Sequence, residues 1–154
     1  MALPKPLMDS LLSQYRGELS AIEAYDRALQ KFAGQTEEAE LLRLREDHLG
    51  AVRRLGAIIR QHGGVEPESS GAWGSLTTGL ERLASIVNDE VPLRVLHRGE
   101  TVGYEGYAKL LSDPTLENEV VQELQVLLDH SQDHLLRLET MLEQLPAAPN
   151  RPMI

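Results

Sequence analysis

The chain has no cysteine, which excludes a disulfide framework and any thiolate metal site. Aromatic residues are scarce: one Trp, one Phe and four Tyr among 154 residues. A core must therefore be assembled from Leu, Ile, Val and Ala, a composition that suits packed helices. Basic residues are outnumbered, 15 Lys and Arg against 24 Asp and Glu, giving a formal net charge of −9. That balance argues against a nucleic-acid phosphate surface as the main partner. No apolar run approaches the roughly 20 residues that cross a bilayer, so no membrane partner is expected. The opening residues MALPKPLMDS lack the long apolar centre of a signal peptide, and a cytoplasmic location is expected. No alternating strand pattern appears anywhere.

What the sequence does contain is one stretch used twice. Residues 16–25 read RGELSAIEAY and residues 98–107 read RGETVGYEGY, 82 positions apart. The match holds at Arg16/Arg98, Gly17/Gly99, Glu18/Glu100, Glu23/Glu105 and Tyr25/Tyr107. The same offset carries Asp47-His48 onto Asp129-His130. A repeat of this length is a supersecondary unit. Each copy offers an acid and then, one helix later, a histidine.

Apolar spacing predicts four long helices. The first is expected from a cap at Asp9 or Ser10 to about Phe32, with Leu11, Tyr15, Ile22, Tyr25 and Leu29 inward and Gly34 as its stop. The second, capped by Thr36, is expected to reach His62 before Gly63-Gly64, with Leu41, Leu44, His48, Ala51, Leu55 and Ile58 inward. His62 itself is expected in solvent. Residues 63–73 read as a loop and 75–87 as a short amphipathic helix, together a crossover too long for a tight turn. Asn88 or Asp89 is expected to cap the third helix, with Leu93, His97, Glu100, Tyr104, Tyr107 and Leu111 inward, and Asp113-Pro114 to end it. The fourth is expected from Thr115 or Leu116 to Leu145, with Val120, Leu124, Leu127, His134, Leu138 and Met141 inward. The organisation expected is an N-terminal arm (1–8), a four-helix bundle with an internal pseudo-twofold (9–145), and a flexible tail (146–154).

Glu18 and Glu100 fall on apolar stripes, where a bare carboxylate is costly. His48, His130 and His134 are the partners within reach of a bundle interior. Imidazole nitrogen and carboxylate oxygen together suit iron, zinc or manganese. One histidine on an apolar stripe is ordinarily a hydrogen-bonded core residue, and a Glu–His pair can be a buried salt bridge. Because acid and imidazole recur in both halves, the set reads as a metal site: Glu18, His48, Glu100, His130 and His134, holding a divalent ion, iron or zinc. Its affinity is expected to fall as pH drops through the histidine range near about 6.5. Glu23 and Glu105 lie off the stripes and are expected in edge salt bridges; Tyr25 and Tyr107 are expected to be core tyrosines.

These phrases resemble the ferritin-like superfamily, with its bacterioferritin- and rubrerythrin-like four-helix bundles. Residues 17–25, GELSAIEAY, look like the first-helix segment of bacterioferritins, and the resemblance implies an iron-ligand role for Glu18. Residues 134–142, HLLRLETML, look like the segment beginning at the fourth-helix ligand histidine, which makes His134 the match. HGGVEPESSGAWGSL with HRGETVGYEGYAKLL is similar to a bacterial ferritin-like branch with a domain of unknown function. The family carries Glu-x-x-His on its second and fourth helices. Here Arg45 precedes His48, Leu127 precedes His130 and Ser131 precedes His134 at that spacing, so the implied site is poor in carboxylate. Arg45 is expected to be able to reach inward and neutralise the acids itself. The resemblance implies a metal-binding protein in iron handling or oxidative stress, with a homodimer as its expected assembly. The alternative is a metal-free bundle acting as a structural or interaction module. Neither reading names a reaction or a catalytic residue.

Overall fold

The computed structural model describes residues 2–71 and 88–146. Within them the chain forms four helices and no strand: α1 (Lys5–Lys31), α2 (Glu38–Gln61), α3 (Glu90–Leu111) and α4 (Asn118–Gln144). The short helix expected over 75–87, and all but the first residue of the expected tail, lie outside the described residues. Among the described residues no helix is long and apolar enough to cross a membrane.

Helix α1 starts at Lys5, earlier than the expected cap at Asp9 or Ser10. Pro6 fits a first turn, where its missing N–H costs nothing, and Leu7 and Leu11 are buried one turn apart. Ser10 then lies inside the helix and donates to the Pro6 carbonyl at 3.0 Å, while Asp9 pairs with Lys5 at 2.8 Å. Thr36 is likewise not a cap, because α2 begins from Glu37 with no side-chain cap. Asn88 does support the start of α3, its Oδ1 accepting the Glu90 N–H at 2.8 Å. Helix α2 stops at Gln61, and Gly63 follows with φ +84°, a conformation cheap only for glycine.

Short links at 32–37 and 112–117 make α1 antiparallel to α2 and α3 antiparallel to α4. Cross-bundle hydrogen bonds give the remaining directions. Tyr25 meets Glu100 and Tyr107 meets Glu18, so α1 and α3 are antiparallel. Arg43 meets Asp133 and Arg54 meets Glu123, so α2 and α4 are antiparallel as well. Consequently α2 and α3 run the same way. The end of α2 and the start of α3 therefore stand about a helix length apart, roughly 35 Å at 1.5 Å per residue. The described beginning of the chain between them lies along α1: Tyr15 donates to Glu66 at 3.1 Å and Ser70 to Glu23 at 3.4 Å.

The expected stripes of α2 and α4 are buried at every position. The α3 stripe is turned from the expected phase. Leu93, Leu96, Glu100, Tyr107 and Leu110 are buried, whereas His97 is about a third exposed and pairs with Glu139 at 3.0 Å. Two buried clusters result. One gathers Leu7, Leu11, Leu55, Ile59, Tyr107 and Leu124; the other Tyr25, Phe32, Leu41, Leu44, Leu93 and Leu138. Between them lies the polar centre described below.

The repeated glycines and small residues mark where α1 faces α3. Gly17, Ala21, Gly99 and Gly103 border a cavity of about 40 Å³ that also touches Glu18, His48 and Glu100. A Cβ on Gly103 would meet nothing within 4 Å, but one on Gly106 would lie 1.9 Å from Gln14 Oε1. Gln14 is buried and donates to the Gly103 carbonyl at 3.2 Å. Gly103→Ala should therefore raise stability by about 0.5–1 kcal/mol through helix propensity. Gly106→Ala should gain nothing, because Gln14 must give up its place. Urea denaturation midpoints of the two variants check this contrast.

Candidate metal centre

Glu18 and Glu100 are buried at 7% and 4% exposure, whereas Glu23 and Glu105 are exposed. The phase read from the stripes thus holds for both pairs. His48 enters from α2 and lies between the two acids. Its Nδ1 is 2.5 Å from Glu18 Oε2 and its Nε2 is 2.6 Å from Glu100 Oε1. His134 enters from α4, with Nδ1 3.1 Å from the same Glu100 oxygen and Nε2 2.9 Å from Asp47 Oδ2. The result is an alternating chain: Glu18, His48, Glu100, His134, Asp47. Two tyrosines complete it. Tyr107 donates to Glu18 Oε1 at 2.5 Å and Tyr25 to Glu100 Oε1 at 2.7 Å. These two bonds exchange with each other under the 82-residue offset.

Both ring nitrogens of His48 face carboxylate oxygens, and so do both of His134. A neutral imidazole has a single N–H and would set a lone pair against one of those oxygens. The geometry therefore calls for imidazolium in each ring. The energetics agree. Burial alone would lower the pKa of His48, but the charges of Glu100 and Glu18 overrule it and hold it well above the ordinary 6.5. His134 is also raised against its burial, by its hydrogen bond to Glu100 and that residue's charge. Burial would raise Glu100, yet His48 and His134 hold it well below the ordinary carboxylate range. Burial, reinforced by the neighbouring carboxylates, raises the pKa of both Tyr25 and Tyr107, so the phenols remain protonated donors. Three carboxylates against two imidazolium ions leave one negative charge, and Arg43 faces Asp47 at 3.7 Å where the chain reaches the surface.

Arg45 does not reach inward. Its Nε lies 2.5 Å from Asp26 on the outside of α1, so the core acids are neutralised by histidine and not by the guanidinium. His130 is the expected ligand that the structure leaves beside the cluster. Its ring is stacked 6.3 Å from His134, and its buried Nδ1 has no hydrogen-bond partner among the described residues. His48 already fills the space between the two acids, so the offset partner His130 has no carboxylate to meet. His134, one helical turn later, takes the contact with Glu100 instead. Asp47 was not expected here, because it stands about 100° from His48 on its helix. That angle points it across the α2–α4 groove, straight at His134.

One donor atom each from His48, Glu100 and His134 lies within 4.8 Å of the other two, so this buried group could hold a metal ion. Ligand atoms of a four-coordinate ion stand about 3.3–3.6 Å apart, given bonds near 2.0–2.2 Å. The present separations of 2.6 and 3.1 Å are hydrogen-bond lengths, so protons hold the position an ion would take. The adjoining cavity supplies extra room, whereas His130 stands outside this group. No protein-family model, curated protein or solved structure matches this chain.

Proposed function

We propose that the chain is a ferritin-like metal-binding protein, with His48, Glu100 and His134 holding a divalent transition metal and Glu18 and His130 flanking it. The observation that carries the proposal is a cluster of acids and imidazoles, drawn from all four helices, beside a buried imidazole nitrogen without a partner. Buried orphan donors and acceptors are uncommon and ask for an ion or a water. A bound ion would supply Lewis acidity and, if it is iron, one-electron redox chemistry, the basis for a role in iron handling or oxidative stress. The chain's own residues hold and release protons. His48 and His134 each give up a proton to become ligands, and the alternating acids lead those protons outward to Asp47. Tyr107 and Tyr25 keep Glu18 and Glu100 oriented throughout.

Because the carboxylates raise both imidazoles, loading requires a higher pH than free histidine would. Zinc affinity measured from pH 5.5 to 8.5 should climb across the whole interval and continue to rise above 6.5. A flat profile there would contradict a site built from His48 and His134. A second reading has its own support: the chain from Tyr107 to Asp47, with Arg43 at its outer end, balances its charges and hydrogen bonds with no ion. A metal-free bundle acting as a structural or interaction module fits that closure. Metal titration at pH 8 separates the two, since only the first takes up an equivalent that Glu100→Gln removes.

A further inference from the structure

A second histidine–carboxylate pair lies at the opposite end of α2 from Glu38. Helices α2 and α4 are held together there by charge pairs such as Arg54–Glu123 at 2.5 Å, and they part to leave an open cleft of about 660 Å³. His62 was expected in solvent, but it is 91% buried in the wall of this cleft. Its Nδ1–H donates to the Ile58 carbonyl at 2.8 Å. That bond fixes the tautomer and leaves the Nε2 lone pair directed elsewhere, the arrangement by which metal-binding histidines are oriented. Nε2 makes no hydrogen bond among the described residues. Glu117 Oε2 stands 3.9 Å from it, too long for a hydrogen bond. That is a few tenths of an ångström wider than the roughly 3.3–3.6 Å between ligands of a four-coordinate ion, a difference that the exposed Glu117 side chain can close. Glu119 and Glu123 border the same cleft together with Arg53 and Arg54, and Arg54 is already paired with Glu123.

We propose that His62 and Glu117 form a peripheral, solvent-open site for an imidazole-preferring divalent ion such as zinc, with water completing the coordination. This assignment does not depend on the core cluster. Two helices meet at the site, and the ion would join the C-terminal end of α2 to the N-terminal end of α4.

The test uses the full chain, zinc ions as the probe, and nuclear magnetic resonance of the histidine ring nitrogens at pH 7.5. The His62 Nε2 signal should shift on zinc addition, and one equivalent should disappear in His62→Gln. Glu117 is exposed, so Glu117→Gln will fold, and it should weaken that equivalent by about tenfold or more. Glu100→Gln should leave the His62 shift intact, which separates this site from the core one. If wild type, His62→Gln and Glu117→Gln bind zinc with the same stoichiometry and affinity, or the His62 ring signals do not move, the peripheral site does not exist.

Discussion

Replacing His48 with leucine should destabilise the metal-free protein by about 3–5 kcal/mol, the cost of leaving buried charge without its partner. Glu18 and Glu100 both lean on this one ring, at 2.5 and 2.6 Å, and no other ion pair holds Glu18 among the described residues. The loss should depend on pH in a defined way. His48 is raised above 6.5 on folding, so its contribution is full below 6.5 and fades as pH climbs through the raised value. Glu100 is lowered from 4.5, so its contribution is full above 4.5 and fades as pH falls through the lowered value. The gap between wild type and His48→Leu should therefore be widest between 4.5 and 6.5. Urea titrations at pH 5.5 and pH 9 measure it. Adding Glu18→Gln and Glu100→Gln to the leucine variant should recover part of the loss, because the unpaired charges are then gone. A pH-independent loss with no recovery would reduce His48 to a space-filling residue.

The second large effect is expected at Glu100. One of its oxygens accepts from Tyr25, His48 and His134 at 2.7, 2.6 and 3.1 Å. Glu100→Ala leaves three buried donors without their acceptor, and each lost partner costs about 1–3 kcal/mol. The variant should be marginally folded at best. Glu100→Gln keeps the shape, should fold, and should lose its core metal equivalent. Glu23→Ala should change neither property, since Glu23 is exposed and outside the cluster. Circular dichroism melting and zinc titration of the three variants check the ordering.

Much of this centre can be read in the sequence because helical phase and duplication constrain the same residues. Glu18, Glu100 and His48 lie on apolar stripes, and a carboxylate on such a stripe must find a partner. The repeat then indicates that two such acids exist in equivalent settings. The phase distinguishes Glu18 from Glu23 because five residues along a helix turn the side chain by about 140° from the core. Other features were hidden for physical reasons. Which residue neutralises the acids depends on side-chain reach across a groove. Arg45 looked able to do it, yet Asp26 holds it outside. The Asp47–His134 contact joins α2 to α4, a distance that no single-helix pattern encodes. The asymmetry between His48 and His130 is a packing competition, since two rings cannot share one gap between two acids. His62 looked solvated beside a double glycine, but its ring folds back onto the Ile58 carbonyl and under the α4 terminus. The early start of α1 follows from Pro6, which reads as a breaker in isolation and as a first-turn residue once Leu7 is buried.

The most direct measurement is the metal content of protein purified without chelator or affinity tag, followed by anaerobic addition of ferrous iron or zinc at pH 8. Wild type should hold or take up roughly one equivalent that disappears in Glu100→Gln and persists in His62→Gln, as expected for an ion that displaces the protons of His48 and His134. A Glu100-dependent uptake of less than about a tenth of an equivalent, before and after addition, would contradict the metal centre. It would leave the Glu18–His48–Glu100–His134–Asp47 chain as a self-neutralised core.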